Sequence, residues 1–190
     1  MFDISTFAKE WLPLILTSAI AICSMIFSYE AQLKGIRKDS RIKEIEVLEK
    51  QLYNFYYPFL LLSRQNTNIY KIFALKQKKE IPDYRTLTYL LEGKKFDPPD
   101  TLFLEQILSN DEKLDCLILD KASLVTNDDL RKKLSEASTH YTLIRMVHKN
   151  GITSDRAEYS VYVHPNDLLT LIENEVARIE ERIRVLREEI

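Results

Sequence analysis

Glycine is scarce in this sequence, with three residues among 190, and cysteine is scarcer still, with two. Glycine-rich phosphate loops, nucleophile elbows and paired-cysteine motifs need more of these residues in one segment than the sequence supplies. Neither Cys23 nor Cys116 has metal-ligand spacing around it, and the histidines at 140, 148 and 164 are equally scattered. The sequence therefore predicts no metal site, no cofactor and no catalytic residues.

The composition bounds the fold class and the partners. A formal net charge of −2 gives no general affinity for nucleic acid, so we expect no nucleic-acid polymer as a partner. Little glycine and a charged content of 29% favour long helices joined by short turns over a sheet. The chain is predicted to be all-α, with room for one domain of ordinary size beyond its N-terminal segment.

The most informative segment is an uncharged run of nineteen residues, Trp11–Tyr29. A helix of that length extends about 28 Å, which nearly equals the hydrocarbon thickness of a bilayer. The run predicts a transmembrane helix, against two alternatives: the core helix of a soluble protein and a cleaved secretory signal. The signal is disfavoured because the residues before the run, Met1–Glu10, contain only one basic side chain, Lys9.

Basic residues follow the run far more densely than they precede it. Five lie just after it: Lys34, Arg37, Lys38, Arg41 and Lys43. The positive-inside rule then predicts a non-cytoplasmic N-terminus over residues 1–10, a span over 11–29 and a cytoplasmic remainder, in the inner (plasma) membrane of a cell. The same five residues are placed to touch anionic lipid headgroups.

Small and hydroxyl side chains form a stripe along one face of the predicted span: Thr17, Ala21, Ser24 and Ser28, continued by Ala31 and Gly35. Helices in hydrocarbon associate by close approach over small residues and by hydroxyl hydrogen bonds. The stripe therefore predicts a homo-oligomer within the lipid bilayer. If four or more helices gather, the same hydroxyls would line a central path and make a channel.

After the span, we expect a basic helical stalk over residues 30–52 and a helical domain over 53–190. Apolar residues at alternating steps of three and four begin at Ile45 and indicate a coiled-coil or bundle helix through Leu62. Pro58 disfavours helical geometry at Tyr57, which predicts a kink or break there.

Capping residues divide the domain into further helices. We expect one from Pro82 to Leu91 ended by Gly93, one starting at Pro98 under an Asp97 cap, and one running from an Asn127 cap to Gly151. A single extended segment is predicted at about 158–164, where apolar and polar residues alternate.

The last predicted helix, 166–190, has the strongest periodicity in the chain. Seven apolar residues keep the three-four spacing: Leu169, Ile172, Val176, Ile179, Ile183, Leu186 and Ile190. By its length this helix could pair antiparallel with the Ile45–Leu62 helix or with copies of itself.

One group of polar residues is a candidate ligand site. His140, Tyr141 and Arg145 lie on a helix whose other face is apolar, where they either satisfy local hydrogen bonds or bind a ligand. In the second interpretation Arg145 meets a phosphate or carboxylate, an aromatic ring stacks on a base, and Arg64, Asn66 and Asn68 form the opposite wall. The ligand would then be a small nucleotide.

The layout also resembles that of small bacterial membrane proteins. The resemblance rests on one N-terminal span, a stalk carrying Tyr53–Pro58 and a helical domain carrying Ala137–Tyr141. Some proteins of this layout are membrane effectors in phage defence. The resemblance implies a domain that receives a signal, with a nucleotide second messenger as one candidate, and an oligomeric span that depolarises the membrane. It transfers no functional residue.

Three hypotheses for function follow. The first is an oligomeric single-span effector that couples a cytosolic signal to membrane permeability, in antiviral defence if the resemblance holds. The second is a passive membrane anchor or scaffold that recruits a partner protein through the C-terminal heptad helix. The third is a membrane-tethered hydrolase, which predicts that Cys116→Ala or His140→Ala abolishes activity while the fold persists.

Overall fold

A computed structural model of the chain describes residues 4–81, 83–149 and 156–190, without the side chains of 4–13, 80, 156–157 and 160. Every regular element in those ranges is helical, which confirms the all-α prediction. The helices are α1 (Ile4–Gln51), α2 (Tyr57–Glu80), α3 (Thr86–Leu91), α4 (Pro98–Lys121), α5 (Asp128–His148) and α6 (Leu168–Glu188). A π-helical turn occupies Leu52–Tyr56, and 3₁₀ turns occupy Ala122–Leu124 and Arg156–Val161.

The chain divides into two compact units. The first comprises Met1–Glu46 and Arg184–Ile190, and the second comprises Val47–Ile183. Within the first unit, the Arg41 guanidinium donates to the backbone oxygen of Glu189 and pairs with its carboxylate at 3.2 Å. Within the second unit, α4 packs against both α2 and α5.

One helical stretch in the described chain is long and apolar enough to cross a membrane, by length and composition. It is the apolar part of Leu14–Lys79, and none of its most apolar window is buried. Large apolar side chains point to the surface all around this part of α1, with Met25 exposed at 75% and Phe27 at 72%. A core helix would bury one face of such a run. The aromatic ring of Trp11 lies outside the described side chains.

The backbone stays helical at Pro58. Proline lacks an N–H, and its ring presses on the carbonyl four residues earlier, which is Asn54 here. The π-helical turn directly before it relieves this conflict by widening the backbone, since the Tyr57 N–H donates to Leu52 O, five residues back. Tyr57 itself is helical, with φ −66° and ψ −45°. Of the predicted kink or break at Tyr57, the break is wrong, because Tyr57 is helical. The distortion takes the form of the π-helical turn at Leu52–Tyr56.

Two predicted helix ends agree with the structure. Gly93 has a φ of 73° and ends α3 in a Schellman motif, in which Gly93 N donates to Leu90 O at 2.9 Å and Lys94 N to Tyr89 O at 3.3 Å. The Asn127 side chain caps α5 by accepting a hydrogen bond from Leu130 N at 3.1 Å. These residues fix the turns that bring α3, α4 and α5 together.

Other predicted ends differ from the structure. α4 begins at Pro98 as expected, but the Asp97 side chain makes no cap bond and instead accepts from Lys76 Nζ at 3.3 Å. α3 begins at Thr86, later than the predicted start at Pro82, a residue outside the described ranges. α5 ends at His148, and Gly151 also lies outside those ranges.

The predicted extended segment at 158–164 is wrong. Residues Arg156–Val161 form a 3₁₀ turn, and the described chain contains no strand that could pair with them. Because an isolated strand leaves its backbone groups unpaired, local bonds replace it. Tyr162 N donates to Tyr159 O at 3.2 Å, and Val163 N donates to Val161 O at 3.0 Å.

The periodic face of α6 is buried within the chain. Ile172, Ile179 and Leu186 are at most 1% exposed, whereas Ile190, at the end of the predicted series, is 47% exposed. In the second unit, Tyr57 Oη donates to Glu180 Oε1 at 2.7 Å, and Arg64 pairs with Glu173 at 2.8 Å. Arg64, the later of the two α2 residues, contacts Glu173, the earlier of the two α6 residues, so the two helices run antiparallel. This is one of the two pairings that the sequence allows. α6 begins at Leu168, two residues after the predicted start.

Candidate functional site

Helix α4 carries buried carboxylates in the middle of the second unit. Asn110, Asp111 and Asp115 are 1%, 4% and 6% exposed. Buried polar and charged groups are stable only when neighbours satisfy them. The partners here come from α2 and α5. We call the following residues the α4 polar cluster: Asn66 of α2, Asn110, Asp111 and Asp115 of α4, and Ser138, Tyr141, Thr142 and Arg145 of α5.

Asp115 is the centre of the contacts with α5. Its Oδ1 accepts a hydrogen bond from Ser138 Oγ at 2.5 Å, and its Oδ2 accepts one from Thr142 Oγ1 at 3.2 Å. The same Oδ2 forms an ion pair with Arg145 Nη2, with the two side chains 9% and 20% exposed. Residues spaced four and three apart share one helix face, so a single face of α5 supplies all these donors.

Arg145 is therefore used differently from the sequence hypothesis, in which it meets a ligand's phosphate or carboxylate. Its charge is matched by Asp115, and Nη2 also lies 3.4 Å from Thr142 Oγ1. The other terminal nitrogen, Nη1, is buried and has no hydrogen-bond partner. One half of the guanidinium is thus satisfied, while the other half keeps donor capacity inside the bundle.

A second chain of hydrogen bonds joins α4 to α2. Asn110 Nδ2 donates to Asn66 Oδ1 at 2.9 Å, and Asn66 Nδ2 donates to Asp111 Oδ1 at 2.7 Å. Burial raises the pKa of Asp111 to about 7, although the positive charge of Arg145 and the bond from Asn66 both act to lower it. The Asp111 carboxyl group therefore changes its protonation state near neutral pH.

An aromatic and imidazole group lies beside this cluster. The Tyr141 hydroxyl is 3.1 Å from His164 Nε2, and His140 Nδ1 is 2.9 Å from the backbone oxygen of Tyr162. Because a carbonyl oxygen only accepts, His140 Nδ1 carries the proton in that bond. Burial lowers the pKa of both histidines, and proximity to His140 helps to lower that of His164 to about 4. Both imidazoles are neutral near pH 7.

Burial raises the pKa of the Tyr141 phenol, and the nearby carboxylates Asp111 and Asp115 raise it further. The hydroxyl therefore remains protonated and can donate to His164 Nε2. The site thus combines a charge-neutral ion pair, a carboxyl group that titrates near pH 7 and two neutral imidazoles. Cys116, the nucleophile of the hydrolase hypothesis, is exposed. Such a group of residues suits proton-linked stability or ligand contact better than nucleophilic chemistry.

The candidate ligand residues fall into separate environments. His140, Tyr141 and Arg145 lie together on α5 at the polar cluster, as their spacing predicts. Arg64 lies on α2, where its guanidinium donates to Glu173 Oε1 of α6 from Nη2 at 2.8 Å and from Nε at 3.3 Å. Asn68 is exposed on the same helix. Of the three residues proposed as an opposite wall, Arg64 and Asn68 are therefore engaged with α6 or with solvent. Asn66 lies at the polar cluster, where it bonds to Asn110 and Asp111.

The sequence interpretation missed Asp111 and Asp115, although the sequence contains a signal for them. Leu104, Leu108 and Ile118 are buried at 1%, 8% and 6% exposure. Together with the two aspartates they keep a four-three spacing along α4. A carboxylate at such a core-facing position is unusual and points to a buried partner.

The stripe residues of α1 are exposed within the chain, and so are its other faces. Ser24 Oγ donates to Ile20 O at 2.9 Å, and Ser18 Oγ donates to Leu14 O at 2.8 Å. A side chain built on Gly35 would meet nothing within 4 Å. The stripe is therefore unobstructed by the rest of the described chain.

Comparison of the chain with protein-family models, curated proteins and solved structures found no match. Across residues 4–81, 83–149 and 156–190, no group of three histidine, cysteine or carboxylate side chains could hold a metal ion. The functional inference therefore comes from the residues of this chain.

Proposed function

We propose that this protein is an oligomeric single-span membrane effector, whose helical domain couples a cytosolic signal to the permeability of the bilayer. Phage defence is the context that the resemblance of the sequence favours. The observation that carries the proposal is the exposed apolar surface of α1. Leu16 and Ile20 are 63% and 59% exposed, as are large side chains on the other faces of the same turns. Water disfavours so much contiguous apolar surface, whereas lipid accommodates it.

The serine hydroxyls of this segment support residence in lipid. An unsatisfied polar group in hydrocarbon costs several kcal/mol, on the order of a lost hydrogen bond or more. Ser18 and Ser24 avoid that cost because each donates to the carbonyl four residues earlier. Their hydroxyls can therefore lie in the bilayer whether or not a second helix is present, and exchange to a neighbouring helix on association.

The second part of the proposal, in which the helical domain receives the signal, rests on the α4 polar cluster. Asp111, Asp115 and Arg145 form a buried group whose charges are compensated by only a few neighbouring side chains. Such a core responds strongly to a change in one partner, because the remaining charges lose their compensation. In this proposal a ligand, a proton or a partner protein alters the cluster and so the packing of α2, α4 and α5.

The scaffold alternative has less support. It needs an apolar face on α6 that is free to receive a partner's helix. Ile172 and Ile179 of that face are fully buried, and Ile183 is 6% exposed. Recruitment through these residues would require α6 to leave its place in the bundle, at the cost of the core that they form.

Membrane potential tests the proposal. Cells expressing the full-length chain are loaded with a potential-sensitive dye, and the wild type is compared with a Ser24→Leu/Ser28→Leu variant. The wild type is expected to depolarise the cells, and the variant is not, because leucine blocks close approach along the stripe. An Ile22→Leu/Ile26→Leu variant makes two conservative changes on another face of the helix and should behave like the wild type.

Two results would contradict the proposal. One is an unchanged potential in every activating condition, phage infection included, when the wild-type chain is present in the membrane fraction. The other is depolarisation by a chain in which an unrelated apolar helix replaces residues 11–29. The proposal predicts that this exchange abolishes depolarisation, because it removes the stripe, whereas a passive anchor would tolerate it.

A further inference from the structure

A face of basic residues begins one turn after the candidate span. Lys34, Arg37, Lys38 and Arg41 follow one another at steps of three, one and three. At about 100° of rotation per residue, all four lie within about 100° of the circumference of α1. Lys43, the fifth basic residue of this segment, lies on the other side of the helix. The helical arrangement therefore gathers four of the five basic residues on one side of α1.

Three of these four cations are available to a partner. Lys34, Arg37 and Lys38 are exposed, and within the described chain none of them forms an ion pair. Arg41, one turn further along, is only half-exposed because it is paired with Glu189. The available charge is therefore concentrated at the end of the face nearest the span.

The basic face and the small-residue stripe occupy different sides of α1. The stripe residues Ser24, Ser28 and Gly35 lie roughly 110° around the helix from the centre of the basic face, at 100° per residue. If copies of the chain meet along the stripe, the basic face remains outside that contact. It then faces the lipid that surrounds the assembly.

We propose that Lys34, Arg37 and Lys38 bind the headgroups of anionic phospholipids, an inference that rests on the proposed membrane function. At 1.5 Å per residue, Lys34 lies about 8 Å beyond Tyr29 along the helix axis, and Lys38 about 14 Å. The headgroup region extends about 5–8 Å beyond the hydrocarbon, and long basic side chains reach back toward it. A Debye length of about 8 Å keeps all three charges within range of the surface.

The charge balance supports anionic lipid as the partner. Glu30 lies on the same face one turn nearer the span and subtracts one charge, which leaves a surplus of two positive charges against the headgroups. A cation close to an anionic surface gains about fivefold in affinity at physiological salt. Zwitterionic headgroups offer no comparable gain.

Tryptophan quenching tests the inference with the full-length chain in vesicles. Trp11 is the only tryptophan, so a Trp11→Phe/Tyr29→Trp background places a single reporter at the basic end of the span. Its fluorescence is measured in mixtures of phosphatidylglycerol and phosphatidylcholine, with one or the other lipid brominated. We expect brominated phosphatidylglycerol to be favoured by about fivefold or more. Replacing Lys34, Arg37 and Lys38 by Gln should bring the preference close to one.

A matched control removes the same charge elsewhere. Lys71, Lys79 and Lys113 are exposed residues of α2 and α4, and their replacement by Gln should leave the lipid preference unchanged. Salt at 0.5 M, roughly three times the physiological level, should weaken the wild-type preference because it screens the headgroup charge.

The outcomes separate this inference from the proposed function. Strong quenching by both brominated lipids with no preference for phosphatidylglycerol would overturn the lipid inference and leave the span intact. Equal loss of preference in the control variant would also overturn it, since the face would then have no special role. Absence of quenching by either lipid would overturn the membrane function itself, and the inference with it.

Discussion

The guanidinium of Arg145 and the carboxylate of Asp115 form an ion pair that joins α5 to α4, with the side chains only 20% and 9% exposed. Two hydroxyls of α5 bond to the same carboxylate. The pair is therefore part of the core, and its two halves depend on each other. Removing one partner from a buried pair leaves an uncompensated charge.

The first prediction concerns this pair. Arg145→Met should lower the free energy of unfolding of the domain by about 3–5 kcal/mol, because Asp115 would keep its charge with hydroxyl donors alone. Arg64→Met is the matched control, since Arg64 and Glu173 are 60% and 41% exposed and such pairs contribute about 1 kcal/mol or less. Urea denaturation of the full-length chain in detergent, followed by circular dichroism, measures both. Equal effects would show that the Asp115 pair is no more important than a surface pair.

The second prediction concerns pH and Asp111. Its pKa is raised from 3.8 to about 7 in the folded chain, so the folded state holds more protons than the unfolded state between those values. Stability should therefore fall as pH rises through this window, by no more than about 1.4 kcal/mol per pH unit. Asp111→Asn keeps a neutral acceptor for Asn66 and should lose this dependence. A constant stability difference between wild type and variant from pH 4 to 7 would refute the assignment.

The third prediction uses His164 and has the opposite sign. Its pKa is lowered from 6.5 to about 4, so the unfolded chain takes up the proton first as pH falls. As the pH falls from 6.5 to about 4, the wild type should therefore lose stability relative to His164→Gln. Between about pH 4 and 6.5 the effect of His164 on stability is opposite in sign to that of Asp111. Each effect is therefore measured against its own variant. A wild type that gained stability relative to His164→Gln as the pH fell from 6.5 to 4 would be inconsistent with a neutral buried imidazole.

Much of the fold is predictable from the sequence, because helix positions follow from local signals. The seam of α6, the Asn127 cap and the turn at Gly93 are each set by residues close in sequence. The π-helical turn before Pro58 and the 3₁₀ turn at 156–161 are different. Each depends on how backbone groups find partners in three dimensions, which periodicity does not encode.

The site is less predictable for a related reason. The α5 residues Tyr141 and Arg145 stand out because they flank an apolar face, and they do lie at the polar cluster. Asp115 and His164, which bond to Arg145 and Tyr141, come from other parts of the chain, 30 and 23 positions away respectively. Sequence spacing identifies residues on one helix face, but it does not say which carboxylate from another helix will neutralise an arginine.

The fourth prediction tests whether the α6 seam is part of the core. Ile179→Ala should lower the free energy of unfolding by about 2–5 kcal/mol because the side chain is fully buried. Ile190→Ala removes the same atoms from a residue that is 47% exposed and should cost well under half as much. Thermal or urea unfolding of both variants gives the comparison. Similar small losses at the two positions would favour a seam that is available to a partner protein.

The fifth prediction concerns orientation, and the two cysteines make it simple to measure. Cys116 is exposed on α4, and Cys23 lies within the apolar run. A membrane-impermeant maleimide should leave Cys116 unlabelled in intact cells and label it after permeabilisation, if the domain is cytoplasmic. A Cys116→Ser variant identifies the labelled site. Labelling of Cys116 in intact cells would reverse the orientation.

The central claim is that lipid surrounds the run Trp11–Tyr29, and alkaline carbonate extraction tests it most directly. Membranes from cells expressing the full-length chain are washed at high pH, which releases peripheral proteins, and the pellet and supernatant are probed for the chain. We predict full-length protein in the pellet, released only by detergent. Recovery of the full-length chain in the supernatant would contradict the account.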